Sequence, residues 1–134
     1  MAYDKENDHA TKKKYRILIV DDDNDVTTTF KAGLPVYGFV VDFFNDPKES
    51  LQAFKADTYD ILILDIRMPI MNGFELYREL EKIDNKPKVC FITAFPVYYE
   101  SLKEFLPTKK MHWFIKKPIE VRDLASQLRT ALNK

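Results

Sequence analysis

The chain has 134 residues, of which 46% are hydrophobic and 31% charged, and 21 basic residues balance 21 acidic ones. This length fits one domain with its own core, and the zero net charge gives no electrostatic reason to expect binding to nucleic acid or to an anionic membrane. No apolar run approaches the roughly 20 residues that cross a bilayer, and the polar N-terminus lacks the apolar core of a signal peptide. We therefore expect a cytoplasmic, globular protein.

The first 14 residues are rich in charges and have no apolar periodicity, which predicts a flexible polar tail before a single domain over residues 15–134. His9 lies in this tail and is expected to be a solvated side chain without a special role. The single cysteine, Cys90, sits inside an apolar run, which favours a buried core residue over a redox centre.

Strand-like and helix-like patterns alternate from Tyr15 onward. Apolar runs rich in branched side chains predict five buried strands, at about residues 15–20, 39–44, 60–64, 88–92 and 112–115. Apolar residues at helical spacing predict five helices, at 26–38, 47–55, 72–83, roughly 97–105 and 121–132. This alternation indicates an α/β protein, a three-layer sandwich built around a parallel sheet.

The helix ends carry their own signals. Asp23 or Asn24 is the expected N-cap of the first helix, and Pro35 should kink or shorten that helix before Gly38 ends it. Asp46 is the expected N-cap of the second helix. The third helix is expected to turn five apolar residues toward the core, namely Phe74, Leu76, Tyr77, Leu80 and Ile83.

Carboxylates directly follow two of the predicted strands. Asp21 and Asp22 come after the first strand, and Asp65 comes after the third. The carboxyl ends of parallel strands meet at one edge of a sheet, where like charges raise one another's pKa unless a cation neutralises them. Carboxylate oxygens are natural ligands of Mg²⁺, with Mn²⁺ as an alternative. The sequence therefore predicts a metal site at this edge.

Two further polar residues extend this site. Thr93 ends the fourth strand, and Lys117 follows the fifth. A carboxylate held on a rigid strand, as Asp65 is, can attack a phosphoryl group and form an acyl phosphate. Such transfer depends on positioning and on neutralisation of charge, for which a hydroxyl and an ammonium group are suited. Together these residues predict a phosphoryl-transfer site.

Four motifs, in this order, resemble the response regulator receiver domain of two-component systems. They are Val20-Asp21-Asp22, the run DIRMPIMNG from Asp65 to Gly73, Thr93-Ala94 and Lys117-Pro118. The resemblance covers about residues 15–133. It implies a flavodoxin-like fold with the strand order 2-1-3-4-5.

The resemblance also implies a role for each acidic residue. Asp65 would accept a phosphoryl group from a histidine kinase or from a phosphotransfer histidine. Asp22 would be the direct metal ligand of the acidic pair, and Asp21 would act largely through water. The backbone carbonyl of Arg67 would complete the metal ligands supplied by the protein.

Thr93 and Lys117 would bind the phosphoryl group in such a domain. Lys117 is favoured over Lys116 because it precedes Pro118, and this Lys-Pro bond is typically cis in the family. Phe114 matches the aromatic residue whose rotamer reports the phosphorylation state, so Thr93 and Phe114 would form a coupled switch. Plain core packing of Phe114 is the alternative.

The sequence departs from the family pattern near the fifth strand. Phe114 lacks the hydroxyl of the commoner tyrosine, so a switch there would work by packing alone. Residues 109–113 replace the usual Gly-Ala pair, which makes the family a weaker guide to the fourth helix and to the output surface. Trp113 could enlarge an apolar docking face or pack inward, and His112 is expected to be partly exposed and not a metal ligand.

Arg67 and Phe95 would flank the path of the water that hydrolyses the acyl phosphate. We expect their bulk to slow self-dephosphorylation. Two other functions compete with the receiver: a Mg²⁺-dependent phosphohydrolase and a receiver-like binding module that is never phosphorylated. The first typically has a second aspartate two residues after the nucleophile, where this chain has Arg67, and the second would be expected to have lost a key residue.

The expected protein is thus a stand-alone receiver and not an enzyme beyond its own phosphorylation and dephosphorylation. It would signal through a protein partner on the face of the fourth helix, fifth strand and fifth helix, or pass its phosphoryl group to a phosphotransfer histidine. A phosphorylation-dependent homodimer is a further possibility.

Overall fold

The computed structural model describes residues 14–94 and 112–133, and for residues 112 and 113 it describes the backbone alone. Several predictions fall outside this part of the chain. They concern the tail with His9, Phe95, the helix at 97–105, residues 109–111 and the side chains of His112 and Trp113.

Five parallel strands form one sheet in the order β2-β1-β3-β4-β5. The strands are β1 (Arg16–Val20), β2 (Val40–Phe44), β3 (Ile61–Asp65), β4 (Lys88–Thr93) and β5 (His112–Lys116). The helices within the described residues are α1 (Asn24–Gly33), a 3₁₀ turn (Leu34–Tyr37), α2 (Pro47–Ala53), α3 (Gly73–Ile83) and α4 (Val121–Leu132). The predicted α/β sandwich and its strand order are confirmed, and α4 is the last of the five predicted helices.

Alternate side chains of the central strands face two separate cores. Ile17, Ile19, Ile61 and Ile63 pack with α1 and α4 on one face of the sheet. Leu18, Val20, Leu62 and Leu64 pack with α2 and α3 on the other. Because helices cover both faces, these strands are apolar at every position instead of alternating with polar residues. Cys90 is fully buried in the core on the side of α1 and α4, as predicted.

The first helix ends as its proline predicts. Asp23 is the N-cap, and its side chain accepts a hydrogen bond from the backbone amide of Asp25. The α-helix stops at Gly33, and the chain continues as a 3₁₀ turn with Pro35 near its start. Gly38 closes the turn with a φ of 93°, a left-handed conformation that glycine adopts without steric cost.

The third helix begins at a capping box that the sequence analysis did not identify. The Asn72 side chain accepts from the amide of Glu75, whose carboxylate accepts from the amide of Asn72. The prediction that Ile83 faces the core is wrong, since it is 45% exposed. The chain leaves the helix at the next residue, Asp84, which is extended and buried instead.

Candidate functional site

The strand register brings the predicted site residues to one edge of the sheet. Val20 pairs with Leu64, so the residues that follow them, Asp21 and Asp65, lie on neighbouring strands at the same level. Asp65 in turn pairs with Ile92, one residue before Thr93. Thr93 pairs with Lys116, directly before Lys117. The carboxyl ends of four neighbouring strands therefore bring these residues to the same edge of the sheet.

The three acidic side chains form a cluster. Asp21, Asp22 and Asp65 each place a carboxylate oxygen within 4.8 Å of the others. Asp21 is fully buried and Asp65 is 4% exposed, whereas Asp22 is exposed to solvent. The cluster thus combines two buried carboxylates with one, that of Asp22, that is accessible from solvent.

Lys117 provides the positive charge of this cluster. Its Nζ lies 2.8 Å from Asp21 Oδ2 and 3.4 Å from Asp65 Oδ2, and its side chain is 16% exposed. Burial lowers the pKa of Lys117, but the interaction with Asp21 and the charge of Asp65 outweigh this effect and raise the pKa. The lysine is therefore held as an ammonium ion. Its peptide bond to Pro118 is cis, as the family resemblance implied.

One ammonium group does not compensate the cluster. Burial, followed by the charge of Asp21, raises the pKa of Asp65 to about 8, and Lys117 offsets only part of this rise. Within the described residues, fully buried Asp21 Oδ2 has the ion pair with Lys117 but no well-aligned hydrogen bond. A second cation would remove this imbalance. Oxygen ligands clustered at this spacing fit a hard divalent ion such as Mg²⁺.

The loop after Asp65 folds back onto the strand that precedes it. The amide of Gly73 donates to the carbonyl of Ile66, and a Cβ on Gly73 would lie 2.4 Å from the backbone oxygen of Asp65. Only glycine permits this close approach. At the tip of the loop Ile70 has a φ of 74° and is 81% exposed. The amide of Arg67 donates to Asp65 Oδ1 at 3.4 Å, so the loop also contacts the carboxylate itself.

Thr93 is buried at the end of β4, and Phe114 is half-buried on the neighbouring strand β5. Thr93 is 1% exposed, and its carbonyl accepts from the amide of Lys117 at 2.7 Å. The half-buried ring of Phe114 stacks on Phe91 with a centroid distance of 5.7 Å and meets Phe74 edge-on at 6.4 Å. Phe114 thus packs in the core in this state, and its role as a switch stays a prediction.

Two polar residues near the acidic loop were missed by the sequence analysis. The Asn45 amide nitrogen donates to the backbone oxygen of Asp21 and to the hydroxyl of Thr27. Asn45 follows β2 and Thr27 lies in α1, so no local spacing relates them. The only available signal was that an asparagine directly follows a strand at the edge where the carboxylates gather.

The fold and the acidic edge together define a phosphorelay signalling module. The chain belongs to the response regulator receiver domain family, whose pattern matches residues 17–129. Members of this family act in two-component regulatory systems and are generally signalling modules rather than conventional enzymes. No helix among the described residues combines the length and apolarity that a bilayer crossing requires.

Three relatives illustrate the relationship. The transcriptional regulatory protein PrrA of Mycobacterium tuberculosis is 37% identical over 79 residues, which are 59% of this chain and 34% of PrrA. The response regulator receiver protein CpdR of Brucella abortus is 30% identical over 117 residues, which are 87% of this chain and 96% of CpdR. A CheY-like receiver domain protein from Methanospirillum hungatei is 26% identical, with a TM-score of 0.77, and the match covers 90% of this chain and 95% of that one. The chain thus spans about a third of PrrA and nearly all of CpdR.

Proposed function

We propose that this protein is a response regulator whose receiver domain, over residues 15–134, accepts a phosphoryl group on Asp65 in a Mg²⁺-dependent reaction. The donor is the phosphohistidine of a histidine kinase or of a phosphotransfer protein. One observation carries the proposal. Three carboxylates have oxygens within 4.8 Å of one another at the carboxyl edge of the sheet, and two of them, Asp21 and Asp65, are paired with the ammonium group of Lys117.

The chemistry follows from these positions. An oxygen of Asp65 attacks phosphorus, the bond from phosphorus to the histidine nitrogen breaks, and the imidazole leaves as the phosphoryl group becomes an acyl phosphate. Lys117 is already within 3.4 Å of Asp65 and pairs with a phosphoryl oxygen. Thr93 donates its hydroxyl to another. Asp21, Asp22, Asp65 and the carbonyl of Arg67 would hold Mg²⁺, which when bound would neutralise the charge of the carboxylates and the phosphoryl oxygens.

The output of this reaction is a changed protein surface. An open groove of about 680 Å³ runs along β5 and α4, lined by residues that include Phe114, Lys116, Pro118 and Arg122. Its position beside Phe114 supports the predicted output face, which would bind a downstream protein partner or a second copy of the chain. A cytoplasmic location and catalysis limited to its own phosphorylation and dephosphorylation belong to the same proposal.

The two competing functions lack comparable support. A phosphohydrolase with an aspartate nucleophile would use a second acid two residues later, and the chain has Arg67 there. A binding module that is never phosphorylated would have no need to keep Asp65, Thr93 and Lys117 at one edge. The ion pairs of Lys117 with Asp21 and Asp65 suit phosphoryl transfer to Asp65 and give no support to a module that is never phosphorylated.

Intact mass spectrometry tests the proposal. The wild type is incubated with Mg²⁺ and acetyl phosphate, beside Asp65→Asn and beside Asp60→Asn, which changes the acid at the opposite end of β3. We expect the wild type and Asp60→Asn to gain one phosphoryl mass, and Asp65→Asn or a chelated sample to gain none. A modified Asp65→Asn or an unmodified wild type would refute the assignment. Rapid release of phosphate from unrelated phosphomonoesters, without accumulation of phosphorylated Asp65, would favour the phosphohydrolase.

A further inference from the structure

Asn45 joins three separate elements next to the acidic cluster. It directly follows β2, and its Nδ2 donates to the backbone oxygen of Asp21 at 2.8 Å and to Thr27 Oγ1 at 2.9 Å. A side-chain amide has two N–H groups, so both donors of Asn45 are used. The residue therefore ties the end of β2 to the end of β1 and to the first turns of α1.

Thr27 continues this connection into α1. It is 1% exposed, and its hydroxyl both accepts from Asn45 and donates to the carbonyl of Asn24 at 3.1 Å. A buried hydroxyl without partners would be costly. The pair consequently forms a continuous set of hydrogen bonds from the Asp21 carbonyl into α1. Removing the Thr27 hydroxyl leaves one N–H of Asn45 without its acceptor, and removing the Asn45 amide leaves the Asp21 carbonyl without this donor.

The consequence for the acidic loop is that both residues flanking Asp22 are fixed. The amide of Asp21 donates to the carbonyl of Phe44 at 3.1 Å, while the carbonyl of Asp21 accepts from Asn45. Asp23 is fixed as the N-cap of α1, and its amide donates to Asp21 Oδ1 at 2.9 Å. The direction in which the exposed carboxylate of Asp22 points therefore depends on the backbone that Asn45 holds.

Electrostatic repulsion makes this restraint necessary. Asp21 and Asp65 are both buried, and metal binding requires both carboxylates to be ionised, so their mutual repulsion then favours displacement of the β1–α1 loop away from β3. If the β1–α1 loop is already in place before the cation binds, the free energy of Mg²⁺ binding does not include the cost of bringing the carboxylates together. The hydrogen bond from Asn45 to the Asp21 carbonyl opposes this outward displacement.

We propose that Asn45, through its two hydrogen bonds, is a positioning residue that holds the acidic loop in the geometry required for Mg²⁺ binding. Asn45 is not itself a metal ligand, and the inference rests on the proposed function only in taking Mg²⁺ as the cation. Residues that orient metal ligands in this way typically contribute 10- to 100-fold to metal affinity. We expect Asn45→Ala to weaken Mg²⁺ binding by about tenfold.

Isothermal titration calorimetry with Mg²⁺ alone, without a phosphodonor, measures this effect. Asn45→Ala is compared with Asn85→Ala, a matched substitution of an exposed asparagine between α3 and β4 at the other end of the sheet. Thr27→Val and Thr27→Ser form a second pair that does not depend on Asn45→Ala folding. Thr27→Val removes the acceptor of one Asn45 bond and should weaken Mg²⁺ binding, whereas Thr27→Ser keeps the hydroxyl and should restore it.

The thermal unfolding midpoint of each variant in chelator separates positioning from stability. A purely structural role would lower this midpoint and leave the Mg²⁺ dissociation constant of the folded protein unchanged, which would overturn the inference. Weaker Mg²⁺ binding by Asn45→Ala and Thr27→Val, with Asn85→Ala and Thr27→Ser like the wild type, would support it. If this pattern appears but wild-type Asp65 takes no phosphoryl group, the positioning role stands and the proposed function falls. If the wild type is phosphorylated on Asp65 but all variants bind Mg²⁺ as tightly as the wild type, the proposed function stands and the positioning role of Asn45 falls.

Discussion

Replacing the buried carboxyl of Asp65 by an amide should change how the stability of the metal-free protein depends on pH. The pKa of Asp65 rises from its ordinary value of 3.8 to about 8, chiefly through burial and then through the charge of Asp21. Between these two values the unfolded chain has released the proton while the folded protein keeps it. The folded state then binds more protons, so the free energy of unfolding falls as pH rises.

The size of the effect follows from the same shift. Each pH unit between the two pKa values lowers stability by about 1.4 kcal/mol for one group. The amide in Asp65→Asn cannot ionise, so this variant lacks the contribution. We expect the stability of Asp65→Asn relative to the wild type to grow by about 3 kcal/mol between pH 5 and pH 7.5.

Urea unfolding in the presence of a chelator, at several pH values, provides the measurement. Comparing the two proteins at each pH cancels the contributions of all other titrating groups. Saturating Mg²⁺ should remove most of the difference between their pH profiles, since a cation stabilises the ionised form of Asp65. Parallel pH profiles for the two proteins in chelator would refute the reasoning. They would mean that the pair of Asp21 and Lys117 leaves Asp65 with an ordinary pKa.

Three further predictions concern the loops around the site and one distant carboxylate. Gly73→Ala should lower the free energy of unfolding by about 1–3 kcal/mol in urea titrations, because its Cβ would lie 2.4 Å from the Asp65 backbone oxygen; a neutral outcome would contradict the close approach. Asp84→Ala should cost about 1–3 kcal/mol at pH 7, because its buried carboxylate accepts from the amides of Asp57 and Lys86. These bonds outweigh burial and lower the pKa of Asp84, so the cost should shrink as pH falls through this group's titration; a cost independent of pH would contradict this. Arg67→Asn should speed the decay of phosphorylated Asp65, followed by intact mass after removal of the donor, and an unchanged decay rate would contradict shielding by Arg67.

The sheet and the residues at its edge could be predicted because their signals are local. Runs such as Ile61–Leu64 are apolar at every position only when both faces of a strand are buried, and the residue that ends each run falls at the edge of the sheet. Asp21, Asp65, Thr93 and Lys117 could thus be placed from the sequence alone. Their assigned roles in phosphoryl transfer still depend on the experiments above.

The parts that escaped prediction depend on contacts between distant segments. Asn45 and Thr27 are 18 residues apart, and their contact arises from the way β2 and α1 meet, which no spacing within either element reveals. Ile83 continues the apolar spacing of α3, yet the chain leaves the helix after it. The next residue, Asp84, is buried instead, because its carboxylate accepts hydrogen bonds from the backbone amides of Asp57 and Lys86.

The register of the strands determines which changes in the sequence the site tolerates. Side chains alternate between the two faces of a strand, so inserting or deleting one residue within β1 or β3 would move the side chains that follow it in the strand to the opposite core. The same event would move Asp21 or Asp65 by one residue, about 3.3 Å, relative to the neighbouring strand. Substitutions on the outer surfaces of the helices leave this alignment intact. The four residues that separate Arg16 from Asp21, and the four that separate Asp60 from Asp65, therefore set the position of the site as well as forming the two cores.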